Sequence, residues 1–276
     1  MSTTTVTTMP AWVQRTYGGV ETVALEQIQV PGPRDDEAIV RVHATALNAA
    51  DARLMHGDPY LVRLGFGLRK PKCAVRGIDL AGTVTALGTA VTGFAIGDEV
   101  VAESGGGGLA PFAVQLAALR GAAVWALSGE RSRSLVGDLG AVRTFDYRQT
   151  GPDSLPKSTF DAIIDLAGTT PLTVLRDLLT PGGTLVMVAG DGGKILGPIP
   201  RMIRAAVLPK RDGRRIRSLM AVAKTDVLQE LLNLAKADRL RSVIEHTYPF
   251  DEADAALRHI DSGRTVGKVV VESRGE

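Results

Sequence analysis

The sequence predicts an α/β chain in which a small β-barrel precedes a doubly wound parallel sheet, and three observations predict it. Short β-rich segments follow one another closely from Ala11 to about Ala102, the texture of a barrel. Beyond Gly108 strands and helices alternate, as a parallel sheet requires. Between the two lies Ser104-Gly105-Gly106-Gly107-Gly108-Leu109-Ala110-Pro111-Phe112, a glycine cluster that runs into an apolar helix over 113–119.

Each element follows from local pattern. Residues 23–30 and 37–44 alternate or run apolar on either side of the turn-forming Pro31-Gly32-Pro33-Arg34-Asp35-Asp36. Residues 81–88 and 97–101 read as further short strands. After the glycines, strands are predicted at 123–127, 142–145, 162–166 and 184–189. A helix over 172–179 is closed by Thr180-Pro181-Gly182-Gly183, a stop signal. Residues 226–237 carry helical apolar spacing at Val227, Leu228, Leu231, Leu232 and Ala235. A strand over 243–248, a helix over 252–260 and a strand over 268–271 finish the chain.

Composition narrows the function classes. At 276 residues, 45% hydrophobic and 22% charged, the chain has ample material for a core. A net charge of +2 and an aromatic fraction of 4% argue against a nucleic-acid partner. Cys73 is the single cysteine, which excludes an intramolecular disulfide and fits a reducing compartment. The first residues lack the basic and apolar segments of a signal peptide, so a cytoplasmic location is expected. No apolar run reaches 18 residues, so no membrane span is expected. A small-molecule substrate remains.

A glycine cluster ahead of an apolar helix is how an α/β fold receives a dinucleotide pyrophosphate: the backbone approaches closely and the helix N-terminus presents free N–H groups. Gly106, Gly107, Gly108 and Leu109 are the candidates here. About twenty residues on, Ser128 stands at the end of the second strand of that unit, with Arg131 just beyond. A hydroxyl and a guanidinium at that point favour a 2′-phosphate over free ribose hydroxyls, hence NADPH. Glu130 opposes this unless it points to solvent, and a solvated helix start explains Ser128 and Glu130 equally well.

The chain resembles the zinc-free branch of the medium-chain dehydrogenase/reductase superfamily, the quinone oxidoreductase-like proteins. The resemblance rests on Tyr17-Gly18-Gly19, Val40-Arg41-Val42-His43-Ala44, Leu47-Asn48-Ala49-Ala50-Asp51, Gly77-Ile78-Asp79-Leu80-Ala81-Gly82 and Gly97-Asp98-Glu99-Val100. It continues through Phe112-Ala113-Val114-Gln115-Leu116-Ala117, Phe160-Asp161-Ala162-Ile163-Ile164-Asp165, Pro181-Gly182-Gly183 and Gly267-Lys268-Val269-Val270-Val271. It implies a GroES-like barrel from 1–103 and 243–276, a Rossmann-type domain over 104–242, and a cofactor in the cleft between them. It also implies Asn48 and Asp51 beside the nicotinamide, an amide to bind a substrate oxygen and a carboxylate to orient it or deliver a proton. Read without the family, the pair is a turn that bonds its own backbone. Tyr147 matches a tyrosine near the adenosine. The segments that hold zinc in metal-dependent relatives read Asn48-Ala49-Ala50-Asp51 and Gly77-Ile78-Asp79, without cysteine or histidine.

The same resemblance exposes a departure. Family members carry a long stretch between the Gly-Asp-Glu-Val strand and the glycine loop, including the first Rossmann strand. Here Glu103 abuts Ser104, which implies an internal deletion and a fold incomplete at the junction. Residues 99–103 are the one strand within reach of the glycine loop, and they are expected to enter the parallel sheet rather than stay in the barrel. An exposed sheet edge follows either way, and with it a tendency to form a homodimer. Two readings of function result: an NADPH-dependent, zinc-independent reductase of quinones or conjugated carbonyls, or a catalytically silent paralogue used as a scaffold. The basic stretch from Arg201 to Arg217 offers an anionic membrane surface or a phosphorylated substrate a place to bind, but reads more readily as a solvated, half-buried connecting helix, and His43 reads as a packed strand residue.

Overall fold

The computed structural model describes residues 7–102, 109–188, 193–209, 212–219 and 224–273. In chain order the elements begin with β1 (Thr8–Gln14), β2 (Val23–Gln29), β3 (Ala38–Leu47), α1 (Ala49–His56), α2 (Arg63–Phe66), β4 (Leu80–Leu87) and β5 (Glu99–Ala102). Then come α3 (Leu109–Leu119), β6 (Val124–Ser128), α4 (Arg133–Asp138), β7 (Ala141–Asp146), β8 (Phe160–Asp165), α5 (Leu172–Leu178) and β9 (Leu179–Met187). The last are α6 (Ile199–Val207), β10 (Arg215–Ser218), α7 (Thr225–Lys236), β11 (Ile244–Pro249), α8 (Ala253–Asp261) and β12 (Lys268–Glu272). Contacts divide the chain into a first unit, 1–57, 62–107 and 244–276, and a second, 58–61 and 108–243.

The first unit is GroES-like. An antiparallel hairpin β1–β2 accompanies a five-stranded sheet of order β11-β12-β3-β4-β5. All its pairs are antiparallel except β11 with β12, which α8 connects, the crossover that a parallel pair needs. Alternation along β12 buries Val269 and Val271, and these pack with Leu47, Met55, Ala256, Leu257 and Val23 in one core. Trp12 Nε1 closes the hairpin onto this core by donating to Phe250 O at 2.7 Å.

β5 corrects the expectation for the junction. Residues 99–102 pair with β4, from Thr83↔Glu99 to Leu80↔Ala102, and so belong to the first unit's sheet. The reason is local. Gly97 N donates to Val84 O at 2.9 Å, and Val84 N donates to Asp98 O at 2.9 Å, so these bonds lead β5 into place beside β4. Closing the loop between β4 and β5 costs less entropy than recruiting parallel partners further along the chain. Gly106, Gly107 and Gly108 lie outside the described residues.

The second unit has Rossmann-like parallel strands in two pieces, β6-β7 and β10-β9-β8. In a doubly wound sheet the strand that leads into the glycine loop sits at the centre. Among the described residues no strand stands between β6 and β8. The consequence is visible in burial. β9, with a neighbour on each side, buries Leu179, Leu185 and Met187, whereas Ala162 and Ile164 of β8 are exposed. Thr180-Pro181-Gly182-Gly183, expected as a helix stop, forms a bulge inside β9: pairing jumps from Phe160↔Leu179 to Ala162↔Thr184, with Gly182 at φ +80°.

Candidate active site

In the first unit four polar side chains converge where β3 ends, α1 begins and β12 starts. Asn48 is the N-cap of α1 and is buried. Its backbone N–H donates to Asp51 Oδ2 at 2.7 Å, the N3 side chain reaching back as in a capping box. Its Nδ2 donates to Asp79 Oδ2 at 2.7 Å. Its Oδ1 accepts from Lys268 Nζ at 2.5 Å. Lys268 also faces Asp79 Oδ2 at 3.6 Å, with both side chains largely buried. Thr45 Oγ1 fixes the Asp79 backbone by donating to its carbonyl at 2.5 Å.

The structure therefore places Asn48 and Asp51 together but gives the amide a different orienting acid. Asp79 holds the side-chain amide, while Asp51 binds backbone. Sequence reading did not single out Asp79 or Lys268, although both sit inside segments that carry the resemblance, Gly77-Ile78-Asp79 and Gly267-Lys268. Burial raises the Asp51 carboxyl to about 6, and the nearby Asp79 charge adds to the rise. The Asn48 N–H, Arg76 and Lys268 pull the other way. His43 is exposed and pairs with Thr83 Oγ1 at 2.7 Å, rather than being packed.

In the second unit the C-terminal ends of β6 and β7 bring Ser128, Arg131 and Tyr147 to one corner. Tyr147 N donates to Ser128 O at 3.1 Å. Tyr147 is exposed, and the Arg148 guanidinium lies 5.1 Å from its ring centroid. Arg131 is exposed in the turn that follows Gly129. Glu130 is paired with Arg133 at 2.7 Å, which neutralises the acid that opposed a phosphate here. Arg148 is a cation at this corner that sequence reading missed. Leu109 opens α3 and is half-buried. Ala110 is helical and needs no positive φ.

At the C-terminal end of β8, Asp165 accepts from Gly168 N at 2.9 Å and pairs with Arg201 Nη2 at 2.5 Å. A cavity of about 410 Å³ adjoins this pair, lined by Gly168, Thr173, Arg201 and Arg204 among others. Arg201 belongs to α6, so the basic stretch is in part a helix that braces a strand end.

Residues 34–122 match the alcohol dehydrogenase GroES-like domain profile, and residues 139–271 match the zinc-binding dehydrogenase profile. The chain belongs to the medium-chain dehydrogenase/reductase superfamily. Within the superfamily it is quinone oxidoreductase-like. The chloroplast envelope quinone oxidoreductase homolog of Arabidopsis thaliana is 26% identical over 337 aligned positions, covering 96% of this chain and 98% of that one. An NADPH-dependent alkenal/one oxidoreductase from the same plant is 25% identical, over 95% of this chain and 79% of the relative. The quinone oxidoreductase structure from Coxiella burnetii superposes with a TM-score of 0.79 at 22% identity, covering 97% of this chain and 100% of that one. The 337 aligned positions exceed the 276 residues present here, so that superfamily relative carries segments without a counterpart in this chain.

Among the described residues no group of three or more His, Cys, Asp or Glu could hold a metal, and no helix is long and apolar enough to cross a membrane.

Proposed function

We propose that this protein reduces quinones or conjugated carbonyls and alkenes with NADPH, without a metal. The observation that carries this reading is the buried Asn48–Asp79–Lys268 cluster. Both ends of the Asn48 amide are occupied, so its task is to hold Lys268 in place. Lys268 has three N–H donors: one goes to Asn48, Asp79 engages the ammonium, and the remaining donor is available to a substrate oxygen. An ammonium there stabilises the negative charge that develops as a conjugated acceptor is reduced. NADPH, when bound, supplies the hydride. Ser128, Arg131 and Arg148 fit a 2′-phosphate as donors, and Tyr147 offers a face for the adenosine. The exposed free thiol of Cys73 suits a reducing, cytoplasm-like compartment, and a homodimer would cover exposed sheet edges.

A second reading is favoured by one observation, the division of the parallel sheet into β6-β7 and β8–β10. An internal deletion that removed the first Rossmann strand leaves the glycine loop without its leading strand, and the protein is then a silent scaffold. NADPH consumption with a benzoquinone and with an α,β-unsaturated ketone separates the two. Turnover that falls 10-fold or more in Lys268→Met, with NADPH affinity retained, supports the reductase; NADPH binding without turnover on either acceptor supports the scaffold.

A further inference from the structure

The second unit carries another cavity, beside β10. Its volume is about 240 Å³, and its lining includes Arg176, Arg214, Arg215, Arg217, Leu208 and Ile216 and no carboxylate. Arg215 is the first residue of β10, and Arg214 Nε donates to the carbonyl of Leu179, the first residue of β9, at 2.9 Å. The cavity therefore flanks β10, one of the parallel strands, from its start at Arg215 to Arg217, and shares Leu208 with the cavity beside Arg201. A dinucleotide belongs at the C-terminal ends of such strands, where Ser128 and Asp165 lie.

The four guanidinium groups are unequally satisfied. Arg214 has the most partners, since it also donates to Asp212 Oδ2 at 3.2 Å and to Ser158 Oγ at 3.0 Å. Arg176 is buried to all but 13%, yet its Nε has no partner among the described residues. Its Nη1 makes one long bond to Pro209 O at 3.3 Å, and its Nη2 stands 3.8 Å from Asp177 Oδ1. Asp177 is shared, because Lys157 Nζ faces it at 3.4 Å. Arg215 donates one long bond to Gly182 O at 3.3 Å. Arg217 is exposed, with no partner among the described residues. Each guanidinium has five N–H donors in a rigid fork that matches phosphate oxygens. Arg215 is exposed like Arg217, so of Arg176, Arg215 and Arg217 only Arg176 is held out of water. A buried cation with so few acceptors is costly unless a counter-charge completes it. Asp177 and Asp212 are too few to neutralise four arginines and Lys157.

We propose that this cavity binds the phosphate group of a small soluble phosphorylated molecule, at a site separate from that of the dinucleotide. Arg176, Arg215 and Arg217 supply the free donors and Arg214 sets the floor. Bound there, a dianion ties the end of α5 to the start of β10 and braces the β8–β10 sheet, which has no further strand on its β8 side among the described residues.

The test is isothermal titration of the full-length protein with inorganic phosphate and with pyrophosphate, against chloride at matched ionic strength. Saturable binding is expected, at least 10-fold weaker in Arg215→Gln/Arg217→Gln, with NADPH affinity unchanged in that variant. Arg217→Gln alone, at an exposed position, serves if the double variant fails to fold, and it is expected to lose severalfold in affinity. Binding equal in wild type and variants overturns the proposal. So does a signal reproduced by chloride, or a parallel loss of NADPH affinity, which would mean that phosphate reports the coenzyme site. Co-sedimentation with phosphatidic acid vesicles in the absence of soluble phosphate binding also overturns it and assigns the arginines to a lipid headgroup.

Discussion

Trp125 and Phe160 meet edge to face, their ring centroids 5.2 Å apart and their planes at 82°. Trp125 belongs to β6 and Phe160 opens β8, so the contact spans the place where a continuous doubly wound sheet has its central strand. Phe145 of β7 lies 5.8 Å from the same indole, and the Arg143 guanidinium lies 4.4 Å from its centroid. Aromatic pairs of this geometry contribute about 0.5–1.5 kcal/mol beyond their area. Here side chains substitute for a missing ladder of backbone bonds.

That substitution has a measurable consequence. Among the described residues, strand amides that point from β8 into the gap have no ladder partner, while β9 has a paired strand on each side. In hydrogen exchange the amides of β8 that do not bond to β9 should exchange far faster than those within β9. Trp125→Ala should widen the difference and destabilise the second unit by about 2–3 kcal/mol, somewhat below the range for a fully buried tryptophan. Equal protection along β6, β8 and β9 would show that another strand fills the gap.

Asp51 makes stability depend on pH. Its folded-state carboxyl titrates near 6, against 3.8 ordinarily. Because the folded value is raised, the benefit is present below about pH 4 and is lost as pH rises to about 6. At neutral pH the buried charge costs up to roughly 2–3 kcal/mol. Asp51→Asn keeps an acceptor for the Asn48 N–H and removes that charge. Denaturant unfolding should find the variant more stable than wild type at pH 7.5 and no more stable at pH 4. A constant difference across that range would be against it.

Coenzyme preference tests the corner at the ends of β6 and β7. Arg131→Ala should weaken NADPH by about 1–3 kcal/mol, as for a lost charge-assisted contact, and leave NADH almost untouched. Arg148→Ala should act in the same direction. Equal affinity of the intact protein for both coenzymes would dismiss the assignment of Ser128 and Arg131 to a 2′-phosphate.

Turnover should survive chelation. The polar groups around Asn48 are an amide, two carboxylates and an ammonium bonded to one another, and a cationic Lys268 beside Asp79 opposes a divalent ion. Incubation with EDTA followed by assay should leave the rate unchanged. Loss of rate that zinc restores would count against metal-free chemistry.

The sequence by itself determined the order and type of most elements. The strand expected at 268–271 became β12, the helical spacing in 226–237 became α7, and the helix expected at 113–119 became α3. These patterns were legible because each records which face of an element is buried, a property set within a few residues. The family, and with it Asn48, Asp51, Ser128 and Arg131 as candidates, was legible for the same reason, since its motifs are local. Tertiary structure alone decided three further matters. It moved residues 99–102 to β4, because backbone bonds between Val84 and residues 97–98 lead the segment into register beside that strand. It gave the Asn48 amide to Asp79 and Lys268, which stand 31 and 220 residues away in sequence, a separation across which no periodicity carries information. It also gathered Arg176 with Arg214, Arg215 and Arg217, because a helix end and a strand start meet only when β9 and β10 pair.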